Sequence, residues 1–153
     1  MRVAIGSDHA GYPLKERLKS ELVTLGHELV DLGTDSDREP VDYPDFCFPV
    51  GELVASGQVD RGIVLGGSGI GESIAANKVA GVRASVVTSA ETARLTRLHN
   101  DSNVLALGSR TNPDHEAVAG WLRIWLETPF ENGRHVPRLA KIAAYEQSHL
   151  ARR

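Results

Sequence analysis

A glycine-rich turn that ends in a carboxylate is the part of this sequence with the clearest chemical potential. An apolar run at 63–65 is followed by four glycines within residues 66–71, separated only by Ser68 and Ile70, and then by Glu72. Backbone without side chains approaches a bound group closely, and unpaired N–H groups at a helix start favour an anion. The stretch therefore predicts a buried strand, an anion-binding turn and a short helix, in which Glu72 either reacts or only complements the helix dipole.

The turn does not match the two common nucleotide-binding glycine motifs. The dinucleotide fingerprint has glycines at its first, third and sixth positions, and counting from Gly67 the sixth position is Glu72. The P-loop needs Lys followed by Ser or Thr after its last glycine, whereas Gly71 is followed by Glu72 and Ser73. Neither nucleotide site is therefore predicted, and a smaller anion is the expected ligand.

Two further pairs of polar residues stand at the predicted ends of a strand and a helix. Asp8 and His9 directly follow the first predicted strand, whereas His99 and Asn100 end a predicted helix. A turn or a helix cap explains Asp8 without any chemistry, and a cationic histidine stabilises a helix C-terminus. The residues alone leave both explanations open beside a catalytic one.

A basic cluster near the C-terminus provides a candidate phosphate site. Arg134 and Arg138 are four positions apart, so a helical backbone would place them on one face. Arg110 follows the fifth predicted strand, and guanidinium groups suit phosphate because each offers a forked pair of donors. A solvated helix start is the alternative explanation. Acid, base, anion turn and arginines together fit proton transfer on a small phosphorylated carbonyl compound.

Alternating strand and helix patterns surround these residues. Strands are predicted at 3–5, 28–32, 63–65, 82–87 and 104–108. Helices are predicted from Pro13 to a cap at Gly26, at 45–56, 72–78, 90–99 and 136–150, and at 113–126 behind an N-cap at Asn112. This alternation predicts an α/β fold with a parallel sheet covered on both sides. Ligands bind beyond the carboxyl ends of such strands, so Asp8, residues 68–72 and Arg110 should converge on one edge.

Composition excludes several classes of protein. The chain has 153 residues, a net charge of −3 and a pI near 6.1, which argues against nucleic-acid binding. No apolar run approaches the roughly 18 residues that cross a membrane, and no signal peptide is recognisable at the start. Cys47 is the only cysteine, so an internal disulfide is impossible. A cytoplasmic protein that binds neither nucleic acid nor membrane is expected.

Five short blocks resemble type B ribose-5-phosphate isomerase, whose family also contains allose- and galactose-phosphate isomerases. The blocks are residues 6–11, 42–44, 66–78, 99–103 and 133–135. They occur in the family's order over nearly the whole chain, which makes the resemblance specific. It implies a single Rossmann-like three-layer domain over residues 1–153, with a five-stranded parallel sheet and a C-terminal helix. It also implies a homodimer with sites at the subunit interface, and neither a metal nor an organic cofactor.

The resemblance implies a role for each matching residue. His99 is the expected acid that opens the furanose ring, and Glu72 is the expected base that moves a proton between C1 and C2. Many members carry a cysteine base where this chain has Gly66, so the chain resembles the subgroup with a glutamate after the turn. The implied substrate-binding residues are Asp8, His9, Gly67, Ser68, Gly69, Ile70, Gly71, Asn100, Arg110, Arg134 and Arg138.

The implied reaction is the interconversion of ribose 5-phosphate and ribulose 5-phosphate. One alternative is the same chemistry on another sugar phosphate, such as allose 6-phosphate. A second alternative is a non-catalytic phosphate-binding module, which would need neither Glu72 nor His99. The final predicted helix carries apolar Leu139, Ile142 and Ala143, which need a partner surface. A homodimer, or a tetramer of two such dimers, would provide one.

Overall fold

Five parallel strands and six α-helices make up the computed structural model, which describes residues 1–150, so residues 151–153 of the predicted domain lie outside it. The strands are β1 (Arg2–Ser7), β2 (Glu28–Asp31), β3 (Arg61–Gly66), β4 (Ala84–Val86) and β5 (Val104–Gly108). The helices are α1 (Tyr12–Thr24), α2 (Pro44–Ala55), α3 (Ile70–Ala76), α4 (Ala90–Asn100), α5 (His115–Glu127) and α6 (Val136–Leu150). A short 3-10 helix, Gly133–His135, directly precedes α6.

The sheet has the strand order β2-β1-β3-β5-β4, and every pair is parallel. Strand β3 therefore lies at its centre, between β1 and β5. The chain enters the glycine-rich turn at the carboxyl end of this central strand, where Gly66 pairs with Gly108. The predicted α/β fold and the convergence of three loops on one sheet edge are confirmed.

Side chains of the strands alternate between two buried layers, as a sheet covered on both sides requires. One layer joins β1, β3 and β5 to α1 and α5 and contains Ile5, Leu18, Leu65 and Trp125. The other joins the same strands to α2 and α3 through Ala4, Val50, Val64 and Ala76. The helices thereby fix the direction in which the strand ends present their loops.

Several boundaries differ from the sequence prediction for local reasons. Helix α5 begins at His115 because the Asp114 carboxylate caps it, accepting from the Ala117 N–H at 3.0 Å. Asn112, the predicted cap, instead donates to the Gly108 carbonyl at 2.9 Å. Helix α3 begins at Ile70, before Glu72, because Gly69 adopts a left-handed conformation with φ of 79° and turns the chain directly into the helix.

Helix α6 packs little against the remainder of the described chain. Ile142 is 49% exposed and Tyr145 is 66% exposed, although the helix has one apolar face. Its fixed contacts include the Glu146 carboxylate, which accepts from the Gly81 N–H at 3.1 Å. Within residues 1–150, no helix combines the length and the hydrophobicity that crossing a membrane requires.

Candidate active site

The glycine-rich turn is held against the loop that follows β5. The Gly67 carbonyl accepts from the Arg110 N–H at 3.0 Å, and the Gly66 carbonyl accepts from the Ser109 N–H at 2.9 Å. The turn and the neighbouring backbone fit closely, because a Cβ at Gly69 would lie 3.0 Å from the Leu107 carbonyl carbon. The glycines are therefore needed both for the left-handed bend and for this approach.

Ser68 satisfies part of the turn from within. Its hydroxyl oxygen lies 3.2 Å from the Ile70 nitrogen and accepts that N–H. The Ile70 side chain points outward and is 58% exposed. Gly71 meets the ring of Tyr43, since a Cβ there would lie 2.8 Å from the ring carbon that bears the hydroxyl. Tyr43 belongs to one of the recognised sequence blocks, but no role was predicted for it.

Gly66 leaves the space that the Glu72 carboxylate occupies. A Cβ built on Gly66 would overlap the Oε1 atom of Glu72, and its next contacts would also be with that side chain. Any larger residue at position 66 would therefore compete with the carboxylate for the same volume. The cysteine base that the resemblance implies for many relatives at this position would therefore exclude the Glu72 carboxylate from the same space.

Burial makes Glu72 a stronger base than an exposed glutamate. The residue is only 4% exposed, and its Oε2 atom has no hydrogen-bond partner among the described residues. Burial raises the pKa of the Glu72 carboxyl, and the negative charge of Asp8 raises it further. The backbone N–H groups of Glu72 and Gly69 oppose this rise without cancelling it. A raised carboxyl pKa is the property that a general base near neutral pH needs.

Cys47 lies near the same carboxylates but is not a second base. Its side chain is fully buried on α2. Burial raises the pKa of the Cys47 thiol, and the charges of Glu72 and Asp8 raise it further, so the thiol stays protonated at neutral pH. Sequence distance had separated Cys47 from the glycine turn, whereas the fold brings it within electrostatic range of Glu72.

Asp8, His9 and Arg110 flank the turn on its two sides. One Asp8 carboxylate oxygen accepts from the Gly11 N–H at 2.9 Å, which is the structural role foreseen as an alternative. The His9 Nδ1 atom lies 3.2 Å from the Val41 nitrogen, which ties the ring to the loop before α2. The Arg110 side chain lies beside the turn, since a Cβ at Gly67 would be 3.6 Å from its Cδ atom. These residues and the turn form one cluster, here called the turn cluster.

A second cluster forms around His99 at the end of α4. The rings of His99 and His135 stack with centroids 4.5 Å apart and 18° between their planes. The Glu131 carboxylate lies 3.2 Å from His135 Nε2 and 3.8 Å from His99 Nε2. Arg134 and Arg138 each approach a ring nitrogen of His135 at 3.4 Å. These five residues are called the histidine–arginine cluster.

Within one chain, the two clusters lie at opposite ends of the strands: the turn cluster at their carboxyl ends and the histidine–arginine cluster at their amino ends. Helix α4 returns against the strand direction, so Asn100 comes close to the start of β4, where the Asn100 carbonyl accepts from Arg83 Nε at 3.1 Å. Strands of five to six residues, such as β3 and β5, separate these ends by roughly 17–20 Å. Within one chain, His99, Asn100, Arg134 and Arg138 therefore lie away from Glu72, and the expected site at a subunit interface stays a prediction.

The sequence interpretation missed Glu131 and assigned His135 no role. Glu131 lies in a loop without a recognisable motif, and its N–H donates to the Leu98 carbonyl at 3.0 Å, which brings it beside His99. His135 belongs to the recognised block 133–135 and is 4% exposed. Buried histidine inside a basic surface segment is a signal that only the fold makes visible.

One group of the described residues has the atoms that a metal ion could use. One ligand atom each from His99, Glu131 and His135 lies within 4.8 Å of the others. Arg134 and Arg138 contact the ring nitrogens of His135 through N–H groups. A guanidinium group has no free lone pair, so it cannot act as a ligand of a metal ion. The positive charges of the two arginines disfavour a cation there, and the expected lack of a metal stays a prediction.

A parallel α/β fold with a glycine turn and a buried carboxylate above its central strand defines a class of enzyme that transfers protons on small anionic substrates. The chain belongs to the ribose/galactose isomerase family, whose profile matches residues 3–142. The family predicted from the sequence is thereby confirmed.

Several relatives and solved structures match the chain over almost its full length. The chain is 46% identical over 151 residues to the putative sugar phosphate isomerase YwlF of Bacillus subtilis, covering 98% of this chain and 100% of that protein. It is 45% identical over 146 residues to ribose-5-phosphate isomerase B of Escherichia coli, covering 95% and 97%. The structure of ribose-5-phosphate isomerase B from Clostridium thermocellum superposes with a TM-score of 0.94 at 47% identity, covering 97% and 99%. That of Mycoplasma genitalium with bound ribulose-5-phosphate gives 0.91 at 40% identity, covering 95% and 96%.

Proposed function

We propose that this protein is an aldose–ketose isomerase that interconverts ribose 5-phosphate and ribulose 5-phosphate. The observation that carries the proposal is the Glu72 carboxylate, which is buried above the glycine turn with a raised pKa and an oxygen that has no partner among the described residues. Both the Escherichia coli relative and the Clostridium thermocellum structure bear the name of this activity. The Mycoplasma genitalium structure with ribulose-5-phosphate adds support for a five-carbon substrate.

Glu72 performs the proton transfer in this proposal. The carboxylate removes the C2 proton of the open-chain aldose, and the electron pair moves toward C1 to give an enediolate. The carboxylic acid then returns the proton to C1, while the hydroxyl proton of O2 passes to O1, so that the product is the ketose. The backbone of Gly67, Ser68, Gly69, Ile70 and Gly71 lies beside the oxygens that carry the developing charge. No proton or electron is gained or lost overall.

Substrate binding needs groups from both clusters. Asp8 and His9 bind hydroxyl and phosphate oxygens beside the turn, together with Arg110. Arg134 and Arg138 bind the phosphate, because paired guanidiniums match its geometry. His99 donates the proton that opens the furanose ring, and Asn100 holds a substrate hydroxyl. No metal or organic cofactor takes part.

A homodimer brings the two clusters together in this proposal. The clusters lie at opposite ends of the strands in one chain. The histidine–arginine cluster of one chain therefore completes the site at the turn cluster of the other. Two exposed apolar surfaces support such an assembly. Ile70 and Ile74 on α3 are each 58% exposed, one helical turn apart, and α6 leaves Ile142 and Tyr145 largely open. Native mass spectrometry distinguishes a dimer from a tetramer of two dimers, and cell fractionation tests the proposed cytoplasmic location.

A coupled assay with separate sugar phosphates tests the function. We expect turnover of ribose 5-phosphate with a kcat/KM at least about tenfold above that of allose 6-phosphate, because one misfitted carbon unit costs roughly 1–3 kcal/mol. Preference for allose 6-phosphate would assign the other substrate. Binding of both without turnover would leave only a phosphate-binding module and refute the isomerase.

A further inference from the structure

His135 makes contacts that link the two functional residues of its cluster. Its ring is 4% exposed and stacks on His99 at 4.5 Å. The Nε2 atom lies 3.2 Å from the Glu131 carboxylate, and the Nδ1 atom lies 3.4 Å from a terminal nitrogen of Arg138. Glu131 in turn faces His99 Nε2 at 3.8 Å. Arg138, His135, Glu131 and His99 thus form a continuous chain of polar contacts.

The chemistry of these partners determines which nitrogen of His135 carries the proton. A carboxylate only accepts hydrogen bonds, and a guanidinium only donates them. Nε2 must therefore carry the hydrogen and donate it to the Glu131 carboxylate. Nδ1 must be unprotonated, so that it accepts the N–H of Arg138. Arg134 Nε also approaches Nε2 at 3.4 Å. The shorter contact to a charged acceptor prevails over it, because charge-assisted hydrogen bonds are the stronger ones.

We propose that His135 is a positioning residue that couples the phosphate-binding arginine to the ring-opening acid. Through Nδ1 it holds the Arg138 guanidinium, and through Nε2–H it holds the Glu131 carboxylate that faces His99. The stacked ring limits the rotation of the His99 imidazole. Phosphate binding and ring opening therefore depend on one buried imidazole that touches neither substrate group. The inference rests on the proposed isomerase function, since it concerns the same site.

Glutamine, asparagine and phenylalanine separate the functions of the ring. In His135→Gln the amide nitrogen stands near the Nε2 position and can donate to Glu131, whereas nothing replaces the Nδ1 lone pair. In His135→Asn the amide oxygen stands near the Nδ1 position and can accept from Arg138, whereas nothing donates to Glu131. In His135→Phe the ring still stacks on His99, but both hydrogen bonds are lost. His27→Asn, a substitution of a histidine near the N-terminus, serves as the control.

The measurement compares two reactions of each variant after dialysis against EDTA. Isomerisation of ribose 5-phosphate includes ring opening, whereas proton exchange at C1 of ribulose 5-phosphate bypasses it. We expect His135→Asn to lower the isomerisation kcat about tenfold with an almost unchanged KM, and His135→Gln to raise the KM about tenfold with an almost unchanged kcat. His135→Phe should show both losses. The maximal rate of C1 exchange should stay near that of wild type in all three variants.

Several results would overturn the coupling. Equal losses of kcat in the asparagine and glutamine variants would do so, and so would a fall of C1 exchange that matches the fall of isomerisation. Loss of wild-type activity on EDTA dialysis would show that a metal ion occupies His99, Glu131 and His135 instead. If wild type turns over no ribose 5-phosphate at all, the proposed function fails separately.

Imidazole ¹⁵N–¹H spectroscopy tests the proton position without any substrate. The ring signals of His135 are assigned by their loss in His135→Phe or, if that variant does not fold, in His135→Gln. We expect the pattern of a neutral ring protonated at Nε2. A ring protonated at Nδ1 would break the contact with Arg138 and refute the proposal, whichever variants fold.

Discussion

Gly66 and Glu72 form a functional pair at the scale of single residues. The glycine contributes by its missing side chain, because the carboxylate fills the space that a side chain would need. Burial and the Asp8 charge then raise the pKa of that carboxyl. The start of a helix favours the ionised carboxylate and burial favours the neutral acid, and the net shift of the Glu72 pKa is upward because burial is the larger effect.

Replacing Glu72 by Gln should stop proton transfer while leaving substrate binding. The amide keeps the shape but cannot accept the C2 proton, so kcat should fall by roughly 10²–10⁴. Steady-state kinetics and a binding titration with ribulose 5-phosphate check this. Wild type should resist iodoacetamide, since Cys47 is buried and protonated. Inactivation that substrate prevents would instead indicate a thiol base.

The same substitution should change stability in a pH-dependent manner. The folded state raises the pKa of Glu72 above its ordinary value of 4.5, so folding favours the protonated form. Stability therefore falls as pH rises from 4.5 through the raised pKa, and ionised Glu72 destabilises the protein at neutral pH. Glu72→Gln should have a higher Tm than wild type at pH 7, and the gain should shrink below pH 4.5.

Glu52 provides the control for this measurement, because it is exposed on α2. The difference in Tm between Glu52→Gln and wild type should be about the same at pH 7 and at low pH. A Tm of Glu72→Gln that stays below that of wild type at every pH would contradict the destabilising effect of the ionised carboxylate. In wild type, kcat/KM should decrease as the pH is lowered, because the base acts only when ionised. The midpoint of this decrease should lie above pH 4.5.

Gly66→Ala should inactivate the protein by displacing the base. Its Cβ would overlap Glu72 Oε1, so the carboxylate must move away from the turn. We expect a loss in kcat of roughly 10²-fold or more, close to that of Glu72→Gln. Gly120→Ala on α5 is the matched control, because a Cβ there meets nothing within 4 Å. The control should stay active and gain up to about 1 kcal/mol from helix propensity. A fully active Gly66→Ala would show that the carboxylate does not need this position.

At the scale of elements, α4 and the 3-10 helix before α6 determine where the arginines of the proposed phosphate site lie. The Glu131 N–H donates to the carbonyl of Leu98, which joins the loop to the end of α4. His99 and His135 then stack, and Arg134 and Arg138 surround them. The 3-10 helix is therefore docked on the end of α4 through the buried His135, while Arg134 and Arg138 stay exposed to solvent.

Arg138→Ala should weaken phosphate binding more than chemistry. Loss of one charged hydrogen bond costs about 1.5–3 kcal/mol, which corresponds to a rise in KM of roughly 10- to 150-fold with a small change in kcat. Steady-state kinetics with ribose 5-phosphate measure both constants. Lys141→Ala, also exposed on α6, is the control for a general loss of positive charge. An unchanged KM for Arg138→Ala would remove this residue from the phosphate site.

At the scale of the whole molecule, the proposed active site needs a second chain. The turn cluster and the histidine–arginine cluster lie at opposite ends of the strands, and α6 exposes apolar side chains to solvent. The proposed two-fold assembly would cover these side chains and join the two clusters, because a symmetric dimer repeats each contact twice and completes two sites.

Mixed dimers should be more active than either parent at low substrate concentration. A chain with Glu72→Gln still supplies Arg138, and a chain with Arg138→Ala still supplies Glu72. Random exchange gives about half hybrids, each with one intact site of two, so about a quarter of wild-type activity should return at low substrate concentration.

A second mixture controls for non-specific recovery. Glu72→Gln combined with Gly66→Ala should stay inactive, since both changes damage the turn cluster and no hybrid site is intact. Light scattering of wild type should show a dimer or larger assembly. A fully active monomer would exclude the shared site.

The sequence by itself determined the fold class and the strand ends at which the site residues gather, and it predicted the base. Periodic apolar runs and glycine caps depend on neighbouring residues, so β5 and α6 were predicted with their observed bounds. Glu72 was found because it directly follows a local motif. Helix starts such as that of α5 were less certain, because Asn112 and Asp114 are both good caps and tertiary contacts select one.

Only the tertiary structure decided which groups meet. The turn cluster draws its residues from three separate loops, and the link from His135 through Glu131 to His99 joins residues whose spacing has no local signature. The direction of the Glu72 pKa shift depends on burial, which a chain has only after its helices pack on the sheet. The separation of the two clusters likewise follows from the reversal of α4 against the strands, a property of the whole sheet that no short stretch of sequence contains.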